Sequence, residues 1–341
     1  MTEPAQEVRA PGSSRLPTLT TLRALAALAV FGYHAGRITG WEPLKAISGT
    51  GYAGVAFFFV LSGFVLSWSF HPLAATVFFH RRFARVYPLH LVTALAVALV
   101  FGFPELGVAV ANLLLPQAWW PTEQVAFALN GASWSLSAEA FFYACFPLLA
   151  AYLAGLDPRR RALLAGLLWS ACSLAVVVLA HEKVGVASLV FPPVRLGEFV
   201  LGIVLGLAVK GGWRPPVGVH AAVLVVAAAF VADRALDVPA PLSDVTLALP
   251  FALLIAAAAG ADADGRPLLP WRVAIFAGEV SYAFYLVHER VITKVAEHLD
   301  GRAAVALSLL ASAGLAVALH LAVERPARRL LTTRRRAEVP A

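Results

Sequence analysis

Charged side chains are scarce in this sequence: Asp, Glu, Lys and Arg together make 14% of 341 residues, against roughly a quarter in an average soluble domain. Cysteine is scarcer still, with Cys145 and Cys172 alone. Both fall in apolar runs, which excludes a disulfide framework, and their spacing offers neither a CxxC pair nor a metal-ligand pattern. There is no low-complexity array and no short-period repeat. No basic stripe interleaved with aromatics is found on a soluble segment, so the net charge of +7 is not read as nucleic-acid binding.

What is abundant is apolar. Hydrophobic residues make 60% of the chain and mean hydropathy is +0.77. A hydrocarbon core of about 30 Å needs about 20 helical residues to cross. Ten runs approach that length, at approximately 18–37, 51–70, 87–104, 134–154, 162–180, 195–209, 217–235, 244–261, 272–292 and 303–323. The sixth is the weakest, being short and carrying Glu198. With the N-terminus inside, 18 of the 27 Lys and Arg residues fall in inner segments and 8 in outer ones, leaving Arg23 within the first run. This asymmetry follows the positive-inside rule and by itself accounts for most of the net charge. An anionic lipid leaflet is then a sufficient partner for these cations. The expected architecture is an all-α, polytopic membrane helix bundle of about ten transmembrane helices with both termini cytoplasmic. Its parts are a flexible cytoplasmic tail at 1–17, the membrane domain at 18–326 and a basic cytoplasmic tail at 327–341. The 23 arginines against 4 lysines suggest a high-GC bacterial genome, so the expected location is the bacterial cytoplasmic (inner) membrane.

Ionisable residues inside such runs are expensive and mark function or pairing. Arg23 and His34 are eleven residues apart in the first run, which places them on one helix face, roughly 16.5 Å apart along the axis. Ala26, Ala27, Val30 and Phe31 lie between them as an apolar track. In the segment His80 to Pro88, read as an inner loop turning into the third helix, Arg82 and Arg85 are three apart and form a fork suited to phosphate. The plainer reading of that cluster is a topological anchor. The fourth run opens with Trp134 to Glu139, putting Ser135 and Glu139 on one face; the ninth carries Ser281, Tyr285 and His288 as a polar stripe. Arg195 and Glu198 are spaced to pair, and Gly202 and Gly206 to pack a neighbouring helix. Under the expected topology the arginines sit at the inner face, and His34, Glu139 and His288 in the outer half.

Taken in order, these segments resemble the acyltransferase 3 family of integral membrane acyltransferases. Arg23 and His34 have its R-x10-H spacing, Phe57 to Phe64 its aromatic L-S-G-F run, and Arg82 to Pro88 its R-x-x-R segment. Trp134 to Glu139 matches W-S-L-x-x-E, Arg195 to Gly202 matches R-x-x-x-F-x-x-G, and Ser281 to His288 resembles S-Y-x-x-Y-L-x-H. Glu324-Arg325-Pro326 resembles the motif closing the last span. The opening Leu16 to Arg23 is similar to the branch that acylates macrolides and their sugars. The resemblance implies transfer of an acyl group, commonly acetyl, from acyl-CoA as co-substrate to a hydroxyl of a carbohydrate or small molecule. It implies that His34 is the catalytic histidine and that Arg23, Arg82 and Arg85 serve the donor.

General-base catalysis by His34 fits that chemistry, with Glu139 orienting it or binding the acceptor. Ser281, Tyr285, His288 and Arg195 are candidates for the acceptor or the oxyanion. No metal and no permanently bound cofactor is expected. Two rivals use the same residues differently: a proton-coupled transporter, and a non-catalytic protein that binds acyl-CoA or lipid. Reporter fusions after Gly155 and after Ala341 should both report cytoplasm; an outward signal from either would overturn the assignment of sides.

Overall fold

The computed structural model describes residues 16–70, 75–120 and 122–333. Most of the expected tail at 1–17, and the end of the one at 327–341, lie outside the described residues. The helices in chain order are α1 (Pro17–Ile38), α2 (Glu42–Ser48), α3 (Gly54–Trp68), α4 (Ala75–Phe101), α5 (Leu106–Leu114), α6 (Glu123–Ala126), α7 (Trp134–Ala154) and α8 (Pro158–His181). They continue as α9 (Ala187–Val190), α10 (Leu196–Lys210), α11 (Val219–Ala235), α12 (Ala240–Ala263), α13 (Arg272–Ala296), α14 (Gly301–Leu319) and α15 (Arg325–Thr333). Among the described residues there is no strand.

Every one of the ten apolar runs is a helix, namely α1, α3, α4, α7, α8, α10, α11, α12, α13 and α14. Among the described residues, seven segments built on α3, α4, α7, α8, α10, α12 and α14 are long and apolar enough to cross a membrane. The other three are α1 and α13, which carry the polar stations, and α11, with 17 residues. The chain is an all-α, polytopic membrane bundle.

One boundary differs from the sequence expectation. The third run begins at Ala75, not at 87, so Arg81, Arg82 and Arg85 lie within α4 and Pro88 is internal to it. A proline inside a helix removes one hydrogen bond and crowds the carbonyl four residues back. Packing of the preceding turns outweighs that loss. Phe78 stacks on Phe146 of α7 at 5.2 Å, and α15 lies against α4. The segment between α4 and α7 folds into short helices, α5 and α6, with 3-10 turns at Gln117–Trp119 and Gly131–Ser133. Asn112, Gln117, Asn130 and Ser133 are buried in it: Asn130 donates to the Leu286 carbonyl at 2.8 Å, and Gln117 donates to the Ser133 carbonyl at 3.1 Å.

Three contacts set the frame. Helices α3 and α10 cross backbone to backbone, because a Cβ on Gly63 would overlap the Phe199 carbonyl and one on Gly202 would overlap the Val60 carbonyl. The expected Arg195–Glu198 pair forms at 3.0 Å, and Asp244 of α12 adds a second carboxylate at 2.9 Å, all three side chains being buried. The start of α1 is pinned to α12 through Asp262, which accepts from the Thr18 backbone N–H at 3.0 Å and from the Thr18 hydroxyl at 2.5 Å. Gly202→Val should therefore force α3 and α10 apart. The expected loss is about 1–3 kcal/mol of stability or failure to assemble, read as a lowered Tm in detergent. Gly166→Ala, with nothing within 4 Å of its added methyl, should leave Tm at the wild-type value.

Candidate active site

A cavity of about 310 Å³ opens where α1, α3, α4, α7, α13 and α15 meet. One wall is basic: Arg23 from α1, Arg82 and Arg85 from α4, and Arg328 from α15. The polar remainder comes from Ser62, Ser135, Glu139, Tyr143, Ser281, Tyr282 and Tyr285, while α3 supplies most of the apolar lining, including Phe58, Phe59 and Leu66. Such a wall of guanidinium groups, each able to bond an oxyanion in a planar fork, suits a phosphate-bearing ligand.

The cations are held in different ways. Arg82 lies over the rings of Phe78 at 6.0 Å and Tyr143 at 5.9 Å, and its Nε is buried with no partner. Arg85 pairs through Nη1 with Glu324 at 3.1 Å. Glu139 accepts through Oε1 from Ser62 at 3.2 Å and from the Tyr143 hydroxyl. The Tyr282 hydroxyl donates to the Val86 carbonyl at 2.9 Å, which ties α13 to α4 beneath the arginines.

Beyond the end of this cavity lies a pair of imidazoles. His34 and His288 are 5.2 Å apart between ring centroids, with planes inclined at 64°. His288 is fully buried, stacks on Phe284 and has Tyr285 at 5.6 Å. Its Nδ1 is 2.6 Å from the Tyr285 carbonyl oxygen. A carbonyl only accepts, so Nδ1 carries a proton, and Nε2 is buried without a partner. His34 is half-buried; the charged groups acting on it are Glu289 and Arg37. Tyr285, touching Phe58 at 6.0 Å, is the divider between the cavity and the histidines.

The structure thus brings together Arg23, Arg82, Arg85, Glu139, Ser281 and Tyr285, and sets His34, His288 and Arg195 off the cavity lining. The expected apolar track on α1 is closed. Gly54 packs against Ala26 and Val30, and Phe31 packs against Phe284 at 5.6 Å and His288 at 6.4 Å. The open route runs instead along α3 and α13. Glu139 is bonded to Ser62 and Tyr143 rather than to His34, because its face of α7 turns toward α3 and the arginines. Arg195 stands behind Phe59 at 5.4 Å from its ring, with both carboxylate partners of its triad around it. The sequence alone did not mark Tyr143 or Arg328, and marked Glu324 only as part of the motif closing the last span. The available signal was spacing: Tyr143 is four residues from Glu139, and Arg328 is four from Glu324.

Comparison with known proteins bears on this geometry directly. The sequence model of a family described as an acyltransferase domain matches residues 16–323. Acyltransferase MdmB of Streptomyces mycarofaciens is 37% identical over 374 aligned positions, covering 95% of both chains. O-acetyltransferase OatA of Staphylococcus aureus is 28% identical, the match covering 59% of this chain and 35% of that protein. Peptidoglycan O-acetyltransferase OatA of Listeria monocytogenes is 30% identical over 39% of this chain and 24% of that protein. No solved structure matches the chain.

Proposed function

The chain belongs to the acyltransferase family matched over residues 16–323 and is an acyltransferase, and we propose that it carries an acetyl group from acetyl-CoA to a hydroxyl of a carbohydrate or small natural product such as a macrolide. The observation that carries this reading is the division of one bundle into an arginine-walled cavity and a histidine pair, with Tyr285 between them. A cavity of about 310 Å³ is at the small end of ordinary ligand pockets, which run from about 300 to 1,000 Å³. That is room for part of a donor: the phosphates at Arg23, Arg82 and Arg85, with the thin pantetheine arm running along α3.

In this mechanism the acyl carbon reaches the histidines past Phe58 and Tyr285. His34 takes the proton from the acceptor hydroxyl as the oxygen attacks the thioester carbonyl. The tetrahedral oxyanion collapses by breaking the C–S bond, and the proton on His34 goes to the departing thiolate. His288 faces His34 and positions it, and Tyr285 is the hydroxyl donor beside the pair for the oxyanion or the acceptor, while the Ser281 and Ser135 hydroxyls donate to the Gly278 and Ala132 carbonyls and offer an acceptor molecule their oxygens. Arg195, closed into its triad, serves the acceptor side only by holding α10 and Phe59 in place. Transfer to a hydroxyl needs a base and a donor grip, and no bound metal or resident cofactor enters any of these steps. The arginine wall belongs at the cytoplasmic face of a bacterial inner membrane, where acyl-CoA is found, as the charge asymmetry of the loops also favours. Membership of an acyltransferase family sets aside the transporter and the non-catalytic binder.

Arg85→Ala, and more mildly Arg85→Lys, should raise the KM for acetyl-CoA and leave the acceptor KM near its wild-type value; unchanged donor affinity in both would make the cluster a topological anchor only. His34→Ala should lower kcat by at least ~10², the usual loss for a general base, with CoA binding and detergent Tm close to wild type. His288→Ala should retain more activity than His34→Ala. Near-normal turnover by folded His34→Ala protein would defeat the mechanism.

A further inference from the structure

The last long helix does not end as its sequence period alone would lead one to expect. After α14 the backbone widens into a five-residue π-helical segment, His320–Glu324, before continuing as α15. Pro326 accounts for the widening: it has no N–H to return to residue 322, and its ring would crowd that carbonyl in a regular α-turn. Single π-turns of this kind recur at functional sites. Here the turn buries both His320 and Glu324.

Glu324 is the meeting point of three side chains. Its Oε2 lies 2.8 Å from His320 Nδ1, and its Oε1 lies 3.1 Å from Arg85 Nη1 and 3.8 Å from Arg328 Nη1. The carboxylate has no exposed surface, whereas Arg85 and Arg328 both line the cavity. Arg23 is within electrostatic reach of the same carboxylate. A fully buried carboxylate is tolerated only while paired, so Glu324 cannot release Arg85 without a large desolvation cost. An arginine carries five N–H donors, and the pairing uses Nη1, leaving the other guanidinium donors for a second partner.

We infer that Glu324 is a positioning residue for the donor: from behind the cavity wall, clamped by His320, it fixes Arg85 and Arg328 in the orientation that grips the phosphates of the acyl-CoA. The inference rests on the donor reading proposed above. It makes a prediction whose sign is opposite to simple charge counting. Removing a negative charge next to two cations should strengthen their attraction for an anion if Glu324 merely screens them. It should weaken donor binding if Glu324 holds them in place.

The test is the dissociation constant of coenzyme A for the purified full chain in detergent, by calorimetry, alongside the KM for the acceptor. Glu324→Gln should weaken CoA binding at least fivefold with the acceptor KM unchanged, and the double variant Glu324→Gln with Arg85→Ala should lose less than the product of the two single losses, because part of the effect of Glu324 is exerted through Arg85. Dephospho-CoA, which lacks the 3′-phosphate, should report whether that group is the one held, by showing a smaller loss in the Gln variant. Tighter or unchanged CoA binding by Glu324→Gln, with Arg85→Ala still weakened, would overturn the positioning role and leave the donor reading intact. Absence of CoA binding by the wild-type chain would overturn the donor reading itself. Should Glu324→Gln fail to fold, Glu324→Asp keeps the charge and withdraws it by one methylene; wild-type CoA affinity in that variant would likewise overturn the inference.

Discussion

The backbone contact between α3 and α10 is what the rest of the site depends on. Gly63 and Gly202 let the two helices touch at their carbonyls, and any side chain at either position would move α3. Helix α3 has little freedom left after that, because its other face forms the apolar wall of the cavity from Val55 to Leu66. Close approach through small residues is the means by which membrane helices associate where lipid tails offer no hydrophobic drive of their own. The buried Arg195, Glu198 and Asp244 triad then fixes α10 against α12, so that the wall is braced from behind. Because that brace is ionic and fully buried, cutting one member leaves an unpaired charge in an apolar interior, which is costlier than removing the whole triad.

The architecture was legible in the sequence where the physical signal is a long apolar run. All ten runs are helices, and even the weak sixth, doubted for Glu198, folds as α10 because the Arg195 guanidinium lies between Glu198 and Asp244 and offsets the buried negative charge. The site was legible where polar residues recur at helical spacing, as with Ser135 and Glu139, or Ser281 and Tyr285, which line one cavity. What periodicity could not show is which face of α1 is open. The residues between Arg23 and His34 are apolar either because they line a channel or because they pack a neighbour, and Gly54 resolves this by seating α3 against Ala26 and Val30. Nor could local rules predict that α4 runs through Pro88, since the packing of Phe78 on Phe146 lies 68 residues away in the chain.

The separation of the two halves of the site has an electrostatic logic. Four guanidinium groups around one small cavity repel one another; Glu324 pairs with Arg85 and Arg328, and Arg328 is also half exposed to solvent. An imidazole placed directly among those cations would be held neutral, but it would also be crowded by the donor phosphates that the cations attract. On the proposed mechanism, setting His34 and His288 beyond Tyr285 would remove proton transfer from that field while keeping it in line with a donor threaded along α3. The Tyr285 carbonyl accepts from His288 Nδ1, so the same residue that lines the cavity through its side chain orients the histidine through its backbone. A displacement of α13 at Tyr285 would thus disturb the cavity wall and the histidine pair together, so that on the proposed mechanism one short stretch of helix would tie donor delivery to proton transfer.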